Sequence, residues 1–311
     1  MKASLVVVAY NCWDEVDGCL RSLEESGDLA AIERVVVVDN ASAAPAADAL
    51  RARFPGVVWV RRARNDGFAA GANAGIRAAG GDAVLLLNPD ARAVGAVVAP
   101  LVRLLEREPD VGIAAPRIED PDGTLQYSCR RFPGHWTVAF NRYSLFTRLV
   151  PANRLSSHYL MFDFDHRSER DVDWVSGAAM LVRRGMLETI GLLDEGYFFS
   201  IEDVDLCRRA WSAGWRVRYA PQAVVRHRIG ASSRSLPRRV IIARHRGMWR
   251  YYLRWQRGGR LLDVATAAGI AARCGWHLAA HEARRLVGRR APGLARPVCR
   301  PGRRGRGRRA G

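Results

Sequence analysis

The stretch Leu85-Leu86-Leu87-Asn88-Pro89-Asp90 is an apolar run that stops at a short polar tip carrying one carboxylate. With Ala83-Val84 before it, the run reads as a strand buried on both faces, and Pro89, which has no N–H, ends the ladder. In an open α/β sheet, ligands bind in the crevice beyond the carboxyl ends of the strands, where a fixed Asp90 can hold a divalent cation against a phosphate. Capping of a following helix is the alternative use of the same side chain. A second acidic group, Glu202, Asp203 and Asp205, follows the aromatic triplet Tyr197-Phe198-Phe199 and opens a helix expected over 203–213. Acids complement a helix N-terminus. Three within four residues, beside aromatic rings, exceed what a cap requires and mark a second functional site. His227, which ends a late strand just beyond, is either a metal ligand or an ordinary surface or core histidine.

Positioning these groups requires a sheet. Residues 3–9 and 34–38 are β-branched runs that end in the polar tips Tyr10-Asn11 and Asp39-Asn40, with helical spacing over 13–25 between them. Residues 57–60 and 83–87 add two strands, and a small-residue helix spans 68–79. Such alternation implies parallel strands joined by right-handed crossovers, with helices on both faces. The tips Asn11, Asp39, Asn65 and Asp90 consequently gather at one edge. Gly67, Gly71 and Gly75 recur every fourth residue, which is neither a dinucleotide fingerprint nor a Walker loop. They line one helix face and allow close approach to the sheet or to a ligand. A helix over 94–108 and strands over 111–116 and 123–129 follow. The aperiodic region 130–171 reads as a long loop or lid, with disorder as the alternative. A strand pair around Gly177 (172–182), a helix over 184–190 and strands over 215–219 and 223–225 complete the pattern.

The chain has 311 residues, 49% of them hydrophobic, enough for a substantial core. Its formal charge of +18 is uneven. From Arg234 onward there are 21 arginines against Asp263 and Glu282, a net +19 that leaves about −1 for residues 1–233. Six cysteines without a C-x-x-C pair or zinc-finger spacing suit reduced thiols in a cytosolic protein. The apolar start is too short for a signal peptide. The longest apolar segment, 261–280, contains Asp263, Arg273 and His277, which argues against a membrane span.

In their order along residues 3–230, several pieces resemble family 2 glycosyltransferases of the GT-A fold, particularly the bacterial rhamnosyltransferase-like branch. They are Val8-Ala9-Tyr10-Asn11, Val37-Val38-Asp39-Asn40, the run from Asn65 through Gly67 to Gly75, Leu87-Asn88-Pro89-Asp90, Trp174-Val175-Ser176-Gly177-Ala178, and Asp194-Glu195 through Tyr197-Phe198-Phe199 to Glu202-Asp203-x-Asp205-Leu206. The resemblance implies a Rossmann-like α/β domain with a mainly parallel central sheet over 1–233. It implies that Ala9, Tyr10, Asn11, Asp39 and Asn65 hold the base and ribose of a nucleotide-sugar, with Gly67 and Gly177 leaving room for the donor and its sugar. Asp90 takes the place of the last acid in the family's D-x-D metal motif, while Asn88 stands where the first acid is expected. The implied cofactor is a divalent cation, Mg2+ or Mn2+, with His227 as a further ligand. Asp203, paired with Glu202, matches the general base, and Trp174, Tyr197 and Phe199 wall the acceptor site. The residue chemistry fits independently: a cation on Asp90 neutralises a departing diphosphate, and a carboxylate on the acceptor side takes the proton of the attacking hydroxyl.

Residues 234–288 read as basic helices (237–256 and 261–286) with interleaved aromatic rings, and 289–311 as a disordered Arg-rich tail. Basic aromatic helices suit the interface of an anionic membrane, useful for a lipid-linked acceptor, and the expected location is cytoplasmic, on the inner face of the cell membrane. Nucleic-acid binding is the lesser use of this charge. The leading expectation is an inverting transfer of L-rhamnose from dTDP-rhamnose to a lipid-linked or polysaccharide acceptor in cell-surface glycan synthesis. A UDP-hexose or UDP-N-acetylhexosamine transferase is the alternative within the class. A non-catalytic nucleotide-sugar-binding protein is the alternative outside it, and the presence of Asp39, Asp90 and Asp203 together stands against that.

Overall fold

The computed structural model describes residues 1–134, 158–228 and 237–290. Most of the expected loop over 130–171 and nearly all of the expected tail lie outside the described residues. The strands are β1 (Ala3–Ala9), β2 (Arg34–Asp39), β3 (Val57–Arg61), β4 (Ala83–Leu87), β5 (Ala91–Ala93), β6 (Val111–Glu119), β7 (Cys129–Arg130), β8 (Arg170–Asp171), β9 (Trp174–Val175), β10 (Ala179–Arg183) and β11 (Arg216–His227). The helices are α1 (Trp13–Glu25), α2 (Asp28–Ala31), α3 (Asp48–Arg53), α4 (Phe68–Ala78), α5 (Val98–Arg107), α6 (Arg184–Ile190), α7 (Glu202–Ser212), α8 (Pro237–Trp255) and α9 (Arg260–Arg290).

One large sheet runs β3-β2-β1-β4-β10-β6-β11-β5, with β8 also on β11. The first four strands are mutually parallel. Insertion of β10 antiparallel between β4 and β6 makes the sheet mixed. Alternate residues of the apolar strands divide between two cores. Leu5, Val7, Val35, Val37, Leu85 and Leu87 pack with Val16, Leu20 and Leu23 of α1 and Leu101 and Leu105 of α5. Val6, Val36, Val38, Val84 and Leu86 pack with Ile76 of α4 and Leu206 and Ala210 of α7. Each such side chain contributes about 1.5–3 kcal/mol by burial, which is why the strands read as continuous apolar runs.

The four-residue glycine repeat has a packing cause. A Cβ on Gly75 would lie 2.3 Å from Val6 Cγ1, and one on Gly71 2.7 Å from Val8 Cγ1, so α4 sits directly on β1. Gly67 has φ +100°, and a Cβ there would meet the Phe198 carbonyl oxygen at 2.3 Å. The helix start is thereby fastened to the loop that precedes α7, through a bond from the Phe68 N–H to the same oxygen at 3.0 Å.

Three expectations change. Asp90 caps no helix, because it is followed by the short strand β5, which pairs antiparallel with the end of β11. The N-terminus of α5 is capped instead by Asp28, whose carboxylate accepts from the Val97 and Val98 amides. The strand expected over 123–129 is reduced to a bridge between Glu119 and Leu125 and to β7, which pairs with β9. The two late strands are one twelve-residue strand with a register shift between Ala220 and Val224.

Helices α8 and α9 pack against each other and against the sheet domain, burying Tyr251, Tyr252 and Ile270. The outer face of α9 is apolar: Leu261, Val264, Trp276 and Leu286 are 89, 68, 73 and 60% exposed. Among the described residues, no helix is long and apolar enough to cross a membrane.

Candidate active site

At the β1 and β2 ends, the tips expected to hold a nucleotide do converge. The Ala9 carbonyl accepts from the Asn40 N–H at 2.8 Å, and Asp39 Oδ1 accepts from the Ser42 N–H at 2.7 Å. Asn11 (φ +53°) accepts through Oδ1 from the Ala43 amide, and its own N–H donates to Ser42 Oγ. Left-handed backbone at Asn11 and Ala41 thus folds two loops together, leaving an open cleft lined by Asn11, Cys12, Trp13 and Ala43–Ala44. Tyr10 is half-buried beside it. Asp39 Oδ2, buried and without a hydrogen bond among the described residues, has Arg61 Nε at 3.7 Å. Asn40 is a structural clamp that the sequence reading did not single out: its amide donates to Asn65 Oδ1 and to the Gly67 carbonyl. Asn65 is therefore held by Asn40, and Gly67 is covered by Phe198.

The second cluster gathers at the end of β4. Asp90 is buried, and neither carboxylate oxygen has a hydrogen-bond partner among the described residues. His227 Nε2 lies 3.3 Å from Asp90 Oδ1 and 3.4 Å from Asn88 Nδ2. The tautomer follows from Gln126. Its Nε2 donates to Asp120 Oδ1 at 2.7 Å and to the His227 carbonyl at 2.6 Å, so its Oε1 is left facing His227 Nδ1 at 3.2 Å. That oxygen can only accept, which puts a proton on Nδ1. Nε2 then faces Asp90 either as the second N–H of an imidazolium or as a lone pair, and the lone-pair arrangement is unfavourable for a buried carboxylate unless a cation lies between them. The residues present therefore fit a divalent cation. Among the described residues no three His, Cys, Asp or Glu side chains converge, so the protein's share is Asp90 and His227, with Asn88 alongside. Cys12 ties this cluster to the cleft at the β1 and β2 ends: its thiol, pushed up to about 11 chiefly by burial, feels both Asp90 and Asp39.

The third cluster forms at the start of α7. Ser200 and Ile201 are both left-handed (φ +65° and +78°), a strained turn for a β-branched residue. The turn presents Glu202 and Asp203 to the sheet. Asp203 Oδ2 accepts from the Gly177 N–H at 2.9 Å. Burial raises the Asp203 carboxyl above its ordinary range, against the opposing pull of that hydrogen bond and of the Arg130 charge. Glu202 is buried, its Oε2 has no hydrogen-bond partner among the described residues, and burial and the Asp203 charge raise it well above its ordinary range. Gly177 leaves the space that Asp203 occupies, since a Cβ there would stand 3.4 Å from Asp203 Cβ.

Two expected members behave differently. Tyr197 does not wall an acceptor cleft, because it is wholly buried and its hydroxyl points to Asp205 Oδ1 at 3.4 Å. Asp205 is a structural hub at 0% exposure that accepts from Arg209 Nε and Trp255 Nε1, both at 2.9 Å. Phe199 is half-buried under the Arg244 guanidinium, 5.7 Å above its ring. Trp174 donates to the Arg131 carbonyl at 2.8 Å and turns its ring to Arg130.

One cavity of about 510 Å³ is shared by the second and third clusters: His227 and Asp203 both line it, together with Trp174, Ser176 and Ser200. Residues from α8 and α9, including Arg244, Met248, Tyr251, Ile270 and Arg273, complete the wall. No sequence signal marked Gln126 or these helix residues as part of the site.

The family model described as glycosyltransferase like family 2 matches residues 2–250. N-acetylglucosaminyl-diphospho-decaprenol L-rhamnosyltransferase of Mycobacterium tuberculosis is 31% identical over 282 residues, covering 83% of this chain and 89% of that protein. Two solved structures share the fold. GalNAc-T7 with UDP, GalNAc and Mn2+ aligns at TM-score 0.58 and 17% identity over 82% of this chain, which spans half of that one. Mannosyltransferase PcManGT from Pyrobaculum calidifontis, in complex with GDP-Man and Mn2+, aligns at TM-score 0.54 and 18% identity, covering 95% of this chain and 81% of that one. The chain is a GT-A-fold glycosyltransferase and belongs to glycosyltransferase family 2.

Proposed function

We propose that this glycosyltransferase moves L-rhamnose from dTDP-rhamnose, with inversion, to a hydroxyl of a lipid-linked acceptor in cell-surface glycan synthesis. The observation that carries the reading is the single cavity shared by His227, partner of Asp90, and Asp203. The activity named for the mycobacterial relative supports the sugar and the lipid-diphosphate acceptor. The Mn2+ in the two solved neighbours supports a divalent cation.

In this reading Asp39 and the Ala9-Tyr10-Asn11 tip bind the base and ribose, with Asn65 and Gly67 shaping the adjoining loop. Asp90 and His227, oriented by Asn88 and Gln126, would hold a Mg2+ or Mn2+, which when bound would supply positive charge against a departing diphosphate. Asp203 is ionised and takes the proton of the acceptor hydroxyl while its oxygen bonds to the anomeric carbon. The bond from that carbon to the diphosphate breaks on the opposite face, and its electron pair leaves with the nucleotide. Raising the Asp203 carboxyl strengthens it as a base. Burial and the Asp203 charge raise Glu202, which disfavours a second negative charge beside the base. Gly177 leaves room for the sugar, and Trp174 and Phe199 border the acceptor side. Residues 1–233 form the catalytic domain. Residues 234–288 form an extension that carries one wall of the site and holds the enzyme on the inner face of the membrane.

A panel of nucleotide-sugars, with and without Mg2+ or Mn2+, tests the reading by thermal stabilisation and then by turnover, with the product anomer assigned by NMR. Metal-dependent stabilisation and turnover by dTDP-rhamnose, with an inverted product, is expected. A different preferred donor or a retained configuration would overturn it.

A further inference from the structure

Two arginines stand beside Asp90 in the chain fold, and neither pairs with its carboxylate. Arg92 lies two residues further on, and its Nη1 donates to the Pro89 and Ala91 carbonyls, both at 2.9 Å. Arg228 follows His227, and its backbone N–H donates to the Asp90 carbonyl at 3.2 Å. Asp90 itself is buried, and both its oxygens lack a hydrogen-bond partner among the described residues. A buried carboxylate ordinarily takes a guanidinium within reach, because the charge-assisted pair offsets its desolvation.

The two cations are held elsewhere by Glu15 of α1. Its Oε2 accepts from Arg92 Nη2 at 3.0 Å, and its Oε1 accepts from Arg228 Nη2. One carboxylate thereby occupies both guanidiniums and joins α1 to β5 and to the residue that follows β11. The helix is shaped for this. A Cβ on Gly18, three residues after Glu15, would lie 2.4 Å from Arg92 Nη2 and 2.7 Å from its Cζ, so Arg92 crosses α1 where the helix carries no side chain. Glycine within a helix is unfavourable relative to alanine, and here the space it leaves is filled by the guanidinium. The side chains of Glu15, Arg92 and Arg228 are 19, 31 and 51% exposed. Ion pairs this open to water add little stability, so what the arrangement decides is where the charges stand.

We propose that Glu15 is a positioning residue for the metal-binding pair: it holds Arg92 and Arg228 off Asp90 and so keeps that carboxylate open to a divalent cation. This rests on the reading of Asp90 and His227 as the residues that hold Mg2+ or Mn2+. Without Glu15, either guanidinium can turn to Asp90 and take the place of the ion, and both add positive charge that opposes its entry.

The test titrates the full chain with Mn2+ alone, with the free ion read by electron paramagnetic resonance. Asp90→Asn checks the underlying reading and loses most of the binding. Glu15→Gln, which keeps the volume and removes the charge, weakens Mn2+ binding at least tenfold while the near-ultraviolet circular dichroism of the fold is retained. Adding Arg92→Met and Arg228→Met to Glu15→Gln recovers most of that loss, a rescue that a merely structural role for Glu15 would not give. If Glu15→Gln does not fold, Glu15→Asp, which draws the carboxylate back by one methylene, carries the test with an expected loss of threefold or more. Parent-like binding in the folded Glu15 variant overturns the proposal, and so does a triple variant no better than Glu15→Gln. Asp90→Asn that binds as the parent does ends the metal reading and this proposal with it. A loss in Asp90→Asn with none in the Glu15 variants ends this proposal alone.

Discussion

The backbone N–H of Gly177 donates to Asp203 Oδ2 at 2.9 Å, and one residue on, the Ala178 carbonyl accepts from the Asn88 N–H, also at 2.9 Å. Two consecutive residues entering β10 thus tie the carboxylate of α7 to the tip of β4, two residues before Asp90. The groups proposed for metal binding and for proton transfer, more than a hundred positions apart, are thus tied by short backbone bonds.

That fixity makes Asp203→Asn a clean substitution, because the amide keeps the volume and an oxygen for the Gly177 N–H. Transfer falls by roughly 10² to 10⁴ while nucleotide binding stays within a few-fold, the signature of a lost general base. Steady-state transfer and dTDP titration measure the two separately. Transfer at a normal rate would remove Asp203 from the role of base.

The metal reading is tested at a residue that touches no ligand. Gln126→Leu removes the oxygen that keeps the proton of His227 on Nδ1. The ring is then free to present its N–H to Asp90. Metal affinity falls about 10- to 100-fold, as for other partners that orient a ligating histidine. A metal titration of activity shows a higher half-activating concentration with kcat largely restored at saturation; an unchanged midpoint would separate Gln126 and His227 from the cation.

Asp205 holds α8 to α7, accepting from Trp255 Nε1 and, at 3.4 Å, Arg254 Nη1 of that helix and from Arg209 of its own. Asp205→Ala leaves these donors facing a void. The expected loss is about 3–5 kcal/mol, typical of breaking a buried pair from one side. Urea denaturation measures it, and a loss below about 1 kcal/mol would mean that α8 is fastened elsewhere.

The reading of the acidic cluster shows where sequence serves and where it stops. Strands were legible because two-sided burial demands unbroken apolar runs, and the tips Asp39 and Asp90 followed from where those runs end. Residue type and spacing alone do not separate Glu202, Asp203 and Asp205, and only the family resemblance singles out Asp203 with Glu202, yet on a helix Asp205 lies about 200° around the axis from Asp203. One faces the cavity and the other the core. Tyr197 went the same way, since proximity in the chain says nothing of side-chain direction. Gln126, 101 residues from His227, and the arginines of α8 and α9 carry no local pattern, because only tertiary packing brings them to the site.

Glu202 gives a pH-dependent prediction. Its folded carboxyl is raised well above the ordinary 4.5 by burial and by Asp203. The folded state therefore holds a proton that the unfolded chain releases. Its contribution to stability is complete below about pH 4.5 and is lost as pH rises through the folded value. Glu202→Gln mimics the protonated form. The variant matches the parent near pH 4 and becomes progressively more stable than it as pH increases, read from denaturation midpoints across that range. A constant difference at all pH values would mean that Glu202 is ionised in the folded protein.

The outer face of α9 yields the last prediction. Leu261, Val264, Trp276 and Leu286 recur along one face of a 31-residue helix, with Ala265, Ala268, Ala272 and Ala279 exposed among them. Ile270, by contrast, points inward. The usual order for a surface helix is reversed, since the charged or polar Asp263, Thr266, Arg273 and His277 are turned toward the protein. Exposed apolar side chains at this density stay soluble at a cost that a lipid surface removes, and the arginines flanking the helix add attraction to anionic headgroups. Burying one such side chain is worth about 1.5–3 kcal/mol, so Val264→Ser and Trp276→Ser should each lower partitioning onto phosphatidylglycerol vesicles about tenfold or more. High salt weakens binding of the parent only in part, because the apolar share is not screened. Binding abolished by salt alone and unaffected by both substitutions would show that charge, and not this face, holds the protein to the membrane.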